Sequence, residues 1–407
     1  MDVARIKTYL ATINFPCDLN QLPSAAYLVG GSVRDALLQR YKMPLDLDFV
    51  LPQKAITTAK EIANQYQGGF VVLDELREIA RVVFPQGTID LAQQEGSSLA
   101  TDLARRDFTI NAIAYNIQSQ KLVDPWGGLA DLTKGILRMV AAKNLEDDPL
   151  RLLRAYRQAA QLNFTIEAQT RAAIRDRAAL LKTIAAERVQ TELNYIFTAP
   201  QGDKWLAAAI EDGLLKFWLP NIERVKIKQL DGVAQGIKYC LESGLKLPEL
   251  AILAKLATLV ADDPNTAEAE LTQLKYARAQ IKAVTKTVKY LPQLQQMTNP
   301  LSLRQQYFWF LEVKDVFPVL ISRAIATGVS LEIITPLIQR YLDPLDLVTH
   351  PKCLVTGNDL IRELNLKPSP VIGKLLTEIQ IAQIEAKIFT PQQAIEFASS
   401  LLRSINL

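Results

Sequence analysis

The sequence predicts an α+β head, a mixed five-stranded sheet with helices, followed by an all-α neck, body and tail. Three observations carry that expectation. Short apolar, strand-like runs are confined to 27–91; a Gly30-Gly31-Ser32 turn divides the first of them from a segment of helical spacing; beyond Thr198 strand signals become few. A chain of 407 residues has room for about two to four domains with full cores. The expected divisions are a head over 1–140, a neck over 141–200, a body over 201–310 and a tail over 311–407.

In the head, Met1 to Asn20 has helical spacing (Ile6, Leu10, Ile13) and is expected to pack on the sheet. Tyr27-Leu28-Val29 reads as a buried strand, and Val33 to Arg40 as a helix after the glycine turn. Such a turn lets backbone approach a phosphate, and the free N–H groups and positive dipole end of the helix face it. The next strand carries Asp46 and Asp48, which point to one face because they are two apart. Paired hard-oxygen ligands suit Mg²⁺, which takes one or two carboxylates and completes its shell with substrate phosphates. Separately, the two features read as a tight turn and a solvated strand end; together they point to nucleotide chemistry.

A helix follows over Ala55 to Tyr66, stopped by Gly68-Gly69, and then strands over Phe70–Leu73, Ile79–Phe84 and Thr88–Leu91. Asp90 lies on the last. Antiparallel strands after the first helix would bring it near Asp46 and Asp48, as a base for an attacking hydroxyl or a further metal ligand; the plain alternative is a strand-end carboxylate satisfied by backbone. In Ala104–Asn116, Arg105 and Arg106 are candidate phosphate clamps, and Asp107 and Asn111, four apart on an expected helix, would share a face. In Asp147–Phe164, Asp148 makes a natural N-cap with Pro149 at the first helical position, and Arg151 and Arg154 follow three residues apart. A carboxylate and a guanidinium one turn apart also imitate a base-pairing edge.

The composition sets limits. Lys plus Arg number 46 against 43 Asp plus Glu, a net charge of +3, so a nucleic-acid partner would be held by a local patch and not by the whole surface. Three scattered cysteines, Cys17, Cys240 and Cys353, form no disulfide framework or metal knuckle and read as reduced thiols of a cytoplasmic protein. One histidine, His350, excludes histidine-rich metal sites. Neither a signal peptide nor an apolar run of membrane length is evident.

The segments LVGGSVRD, DLD, RRDFTINAIA, DPWGG, DDPLRLLRAYR and ERVQTELNYIF occur in an order that resembles the tRNA nucleotidyltransferases building or repairing the 3′ CCA end, and the related bacterial poly(A) polymerases. The match is nearly continuous over about the first half of the chain, and the Gly-Ser and Asp-x-Asp pair resembles the wider superfamily related to DNA polymerase β. The resemblance implies a polymerase-β-like nucleotidyltransferase head in which Asp46 and Asp48 bind two Mg²⁺ ions. It implies that Gly30, Gly31, Ser32 and Arg34, with Asp35 beside them, form the phosphate-contacting turn, and that Arg106, Asp107 and Asn111 surround the sugar and phosphates. Asp148 and Arg151 would read the base, with Arg154 in support and the segment opened by Glu187 and Arg188 steadying their helix. The first position of that Glu-Asp-x-x-Arg motif departs, being Asp147. The implied reaction is phosphoryl transfer from CTP or ATP to the terminal 3′-hydroxyl of a tRNA, with pyrophosphate released and no covalent intermediate.

Later segments bear on RNA binding and specificity. Leu274, Ala277, Ile281, Val284 and Val288 form an apolar stripe beside Lys275, Arg278, Lys282, Lys286 and Lys289, a basic face available to RNA phosphates or simply solvated. Thr356-Gly357-Asn358-Asp359 reads as a helix start, and Pro368 to Gly373 as a break before another helix; both resemble the tail of the bacterial-type CCA-adding enzymes, with Ser369 where that pattern has Gly. Body and tail are expected to measure the acceptor and T arms of tRNA by shape and phosphate. Members that add C, C and A resemble one another in a polar flexible segment between the third-carboxylate strand and Arg-Arg-Asp. Here the interval is only Ala92–Ala104, and its later part already looks like the next helix. That resembles the CC-adding members, which rely on a separate A-adding enzyme. Full CCA addition is the alternative, followed by A addition, poly(A) synthesis (whose bacterial enzymes usually carry a basic C-terminal extension, with no such run before Leu407) and a non-catalytic RNA-binding role.

Overall fold

The computed structural model describes residues 2–13, 15–41, 44–297, 299 and 301–405. They form two compact units, Met1–Phe217 and Trp218–Leu407. The five strands read in the sequence are present as β1 (Tyr27–Val29), β2 (Leu45–Leu51), β3 (Gly69–Asp74), β4 (Ile79–Phe84) and β5 (Gly87–Gln93). Two short strands, β6 (Ala114–Tyr115) and β7 (Leu122–Val123), extend the sheet to seven in the order β3-β4-β5-β2-β1-β6-β7. It is mixed: β2 and β5 run parallel and the other pairs antiparallel. As expected, antiparallel strands bring Asp90 to the carboxylates: β3, β4 and β5 form a meander whose last strand lies alongside β2, running parallel to it.

Alternation along β2 sorts its side chains. Leu47, Phe49 and Leu51 are fully buried on one face, while Val50 on the other joins Val29, Leu103, Ala112 and Ala114 in a small core beside Asp46 and Asp48. The first helix, α1 (Asp2–Thr12), is shorter than the expected span to Asn20, and Met1 and Asn14 lie outside the described residues. α2 (Gly31–Leu37) starts within the glycine turn; α3 (Ala55–Gln65) packs Ala55, Ala59 and Ala63 inward at helical spacing. α4 (Leu99–Ala104) and α5 (Gly128–Lys134) complete the head.

The neck comprises α6 (Ala142–Asp147), α7 (Leu150–Leu162), α8 (Ala168–Arg177) and α9 (Ala186–Thr198). A two-stranded parallel pair joins β8 (Ile136–Leu137), just before α6, to β9 (Thr165–Ile166), between α7 and α8. α10 (Gly202–Glu211), expected in the body, belongs to this first unit. The reason is burial: Trp205 and Leu206 pack inward, with Trp205 edge-on to Tyr156 of α7.

The second unit is all helix, from α11 (Arg224–Glu242) through α12 (Leu250–Leu259), α13 (Pro264–Gln273), α14 (Arg278–Gln295), α15 (Leu303–Val313), α16 (Phe317–Ala326) and α17 (Leu331–Leu342). α11 and α16 cross closely: a Cβ on Gly236 would stand 2.3 Å from the Ser322 carbonyl oxygen. A separate core gathers α18 (Gly357–Glu363), α19 (Pro370–Ile384) and α20 (Pro391–Ile405) around Leu360, Leu375 and Ala394. Thr356 caps α18 as the sequence suggests, through a reciprocal bond with Asp359; Gly373 lies inside α19 and not in the break before it, because Pro370 already occupies the first turn.

Candidate active site

The site begins at the turn between β1 and α2. Gly30 has φ +71°, where an L side chain is strained, and a Cβ there would lie 3.0 Å from Arg106 Nη1 and 3.5 Å from Asp48 Oδ2. Glycine thus permits the turn to close on the carboxylates. Ser32 Oγ ties turn to strand, donating to the Asp46 carbonyl oxygen at 2.9 Å, and Thr88 Oγ1 donates to Asp46 Oδ1 at 2.6 Å. Burial first, and then the neighbouring Asp46, push the Asp48 carboxyl up to about 7, against the opposing pull of Arg106.

Asp90 stands directly opposite Asp48 in the β2–β5 register. Both of its oxygens accept from Arg81, at 2.7 Å from Nε and 2.8 Å from Nη2. Arg81 is its cross-strand partner on β4. Among the described residues no group of three His, Cys, Asp or Glu converges as a ready metal cage. Two carboxylates on one strand face, both open to a common cavity, are a donor set for a hard cation that takes its remaining ligands from phosphate and water, and a cation there would hold Asp48 ionised, so the residues fit Mg²⁺.

Beneath the turn lies a buried polar network. Arg34 donates to Asp35 Oδ1 at 2.9 Å and to Asn111 Oδ1 at 2.8 Å, and Asn111 Nδ2 donates to Asp107 Oδ1 at 2.9 Å and to Gln158 of α7 at 3.1 Å. Asp107 and Asn111 meet as expected, but not on a helix. The chain is extended at Phe108 and makes only a 3₁₀ turn over Thr109–Asn111, since Phe108 and Ile110 must both be buried before β6 begins. Burial raises the Asp107 carboxyl, and Arg154, Asn111, Arg151 and the Phe108 N–H more than reverse this, leaving it below the usual carboxylate range. Of the two adjacent arginines, Arg105 pairs with Glu95, while Arg106 reaches Asp102 at 3.5 Å and the turn itself.

The neck places Asp148 between α6 and α7, its Oδ1 accepting from the Leu150 N–H at 3.4 Å, so α7 opens one residue later than expected. Arg151 Nε lies 3.8 Å from Asp148 Oδ2, and its Nη1 is fixed by the carbonyls of Arg105 at 2.8 Å and Asn144 at 3.0 Å. Arg188 of α9 approaches Asp148 at 3.4 Å. These residues, with Arg106, line a cavity of about 560 Å³. Arg154 turns from it to Asp107 at 3.5 Å and Glu192 at 3.6 Å. Asp147, the departing first motif position, also lines this cavity and pairs with Lys143 at 3.0 Å.

A second cavity, of about 890 Å³, holds Asp46, Asp48, Gly31, Ser32 and Arg34 and is walled by Arg81, Arg157, Glu192 and Tyr195. These walls, with Thr88, escaped the sequence reading. Arg81 was legible in principle, since a tight hairpin sets it across from Asp90. Glu192 and Tyr195 stand within ERVQTELNYIF, but nothing local shows that they return to α7.

The basic face of the second unit is divided. Leu274 closes α13, Lys275 adopts φ +61°, and α14 begins only at Arg278, so a single helix over 274–289 does not form. Ala277 is an exposed cap; Lys286 is paired with Asp315 at 2.9 Å, and Lys289 lies over the Tyr290 ring. Lys275, Arg278 and Lys282 alone line a common cavity. His350 is held in a loop between Lys314 Nζ and the Tyr341 carbonyl, each at 3.1 Å.

The chain matches the Poly A polymerase head domain over residues 26–138, the RNA and SrmB-binding site of polymerase A over 163–226, and tRNA nucleotidyltransferase domain 2 over 248–398. It is 49% identical over 402 residues to the CC-adding tRNA nucleotidyltransferase of Synechocystis sp., spanning 96% of each chain. To the A-adding tRNA nucleotidyltransferase of Deinococcus radiodurans it is 31% identical over 426 residues, 93% of this chain and 96% of that one. The fold is that of a Thermotoga maritima CCA-adding enzyme complexed with tRNA, at TM-score 0.73 and 24% identity over 93% of this chain and 91% of that one.

Proposed function

Since the chain belongs to the tRNA nucleotidyltransferase and poly(A) polymerase family, we propose that it adds two CMP residues from CTP to the 3′ end of tRNA, releasing pyrophosphate and leaving the final A to a separate enzyme. One observation carries the restriction to C. Between β5 and α4 there are only the residues 94–98, and they are pinned: Gln94 N–H to the Leu51 carbonyl at 2.7 Å, Glu95 N–H to Asp102 at 3.1 Å, Glu95 to Arg105, and Ser98 as the N-cap of α4. Glu95, Asp102 and Arg105 wall the cavity of Asp148 and Arg151. A wall tied at both ends keeps that cavity fitted to one base, and exchanging C for A requires it to move. The relation to Synechocystis sp. supports the same reading.

In this scheme Asp148 and Arg151 offer acceptor and donors to the edge of the incoming base, replacing a template. The Gly30–Ser32 backbone and Arg106 receive the triphosphate. Asp46 and Asp48 hold Mg²⁺, which when bound would neutralise charge developing on the phosphoryl oxygens. Asp90, positioned by Arg81, faces the same carboxylates as a base for the 3′-hydroxyl. Arg34, Asp35, Asp107, Asn111 and Arg154 lock turn to neck, so that base and phosphate sites keep their spacing. The head, neck, body and tail divide the labour as catalytic, base-reading and tRNA-binding segments, with Lys275, Arg278 and Lys282 as the phosphate contacts of the body. No described helix is long and apolar enough to cross a membrane; free thiols at Cys17, Cys240 and Cys353 suit a cytoplasmic site of action. Asp46→Ala is expected to abolish CMP incorporation while tRNA binding persists; unchanged incorporation would contradict the metal assignment.

A further inference from the structure

The larger cavity has a wall that nucleotide binding and the carboxylates do not use. Tyr195 of α9 is 51% exposed, a large aromatic ring open to the cavity that Asp46 and Asp48 also line. One contact is already made: the Arg157 guanidinium lies over the ring, 5.6 Å from its centroid. Arg157 is itself fixed, ion-paired to the buried Glu192 and hydrogen-bonded to Gln161 at 3.2 Å. A guanidinium held over a ring keeps that ring in one orientation before any ligand arrives.

The incoming base has its own cavity at Asp148 and Arg151, so this second aromatic wall faces the other reactant. On the function proposed above, that reactant is the unpaired 3′ end of an RNA. Its last nucleotide differs between successive additions, and a hydrogen-bonding reader would reject some of them. Stacking on an aromatic face tolerates every base. We propose that Tyr195, oriented by Arg157 and Glu192, stacks on the last unpaired base of the acceptor RNA and so sets its 3′-hydroxyl beside Asp46 and Asp48. The inference rests on an RNA 3′ end being the acceptor.

Tyr195 is half exposed, so Tyr195→Ala should fold, and Tyr195→Phe keeps the stack. A tRNA transcript ending in 2-aminopurine, bound without CTP, should lose fluorescence on the wild-type protein and on Tyr195→Phe, but bind Tyr195→Ala with its fluorescence retained. In incorporation assays Tyr195→Ala should raise the KM for tRNA by about tenfold, with the KM for CTP unchanged. That difference should vanish on a transcript whose last nucleotide is abasic. Equal quenching by Tyr195→Ala, or an unaltered KM for tRNA, overturns the platform. A wild-type protein that quenches the probe but incorporates no nucleotide overturns the proposed function and leaves the platform standing.

Discussion

At the scale of single residues, the site depends on buried charges with few spare partners. Arg154 is the counter-charge that keeps Asp107 ionised within the core, while Glu192, its other partner, retains Arg157. In the wild type the Asp107 carboxyl lies low, so its contribution to stability is present above the ordinary carboxylate pKa and is lost as pH falls through the folded value. In Arg154→Ala burial prevails and the folded pKa rises, so the variant instead loses stability as pH increases. The expected deficit is about 2 kcal/mol near neutral pH, set below the usual cost of breaking a buried pair because Arg154 is partly exposed. Urea unfolding at about pH 5 and about pH 8 checks this: the deficit should be larger at the higher pH. An equal deficit at both would mean that Asp107 stays ionised without Arg154.

At the scale of elements, the turn at Asp124–Gly128 acquires a purpose that its sequence does not announce. Asp124 caps the start of α5 through the N–H groups of Gly128 at 2.7 Å and Leu129 at 2.9 Å. A Cβ on Gly128 would stand 2.2 Å from the Thr109 carbonyl oxygen, in the turn that presents Asn111. Gly128→Ala should therefore cost about 2 kcal/mol of stability by overpacking and lower CMP incorporation through Asn111, measured by thermal unfolding beside the assay. Retained stability and activity would show that the turn yields freely. The strands and the Asp46 and Asp48 pair were legible because each rests on local spacing, whereas Asp148 was read as the cap of α7, a position that Pro149 occupies. The segment 107–111 was misread as helix because its course is set by burial of Phe108 and Ile110 against distant strands, and local propensity loses to that. Likewise the stripe from Leu274 to Val288 keeps its apolar period across a break that only the positive φ of Lys275 reveals.

At the scale of the whole molecule, long-range pairings were the least legible. The meander that returns β5 parallel to β2, the placement of α10 with the neck, and the approach of Glu192 and Tyr195 to α7 all join segments far apart in the chain. No periodicity reports such contacts. On the proposed function, the cavity lined by Asp148 and Arg151 of the neck and walled by the short segment between β5 and α4 would serve as the template for the incoming base, and the second unit would bind RNA by charge and shape. The central claim is that this assembly adds C and stops. It is tested most directly by incorporation on tRNA transcripts ending before CCA, after the first C and after the second, with CTP and ATP supplied separately and together under Mg²⁺. The account predicts extension to two Cs and no further, even with ATP present, and no extension of the transcript that already ends in CC. Addition of a terminal A to that transcript would contradict it, showing that the pinned segment still permits the change from C to A.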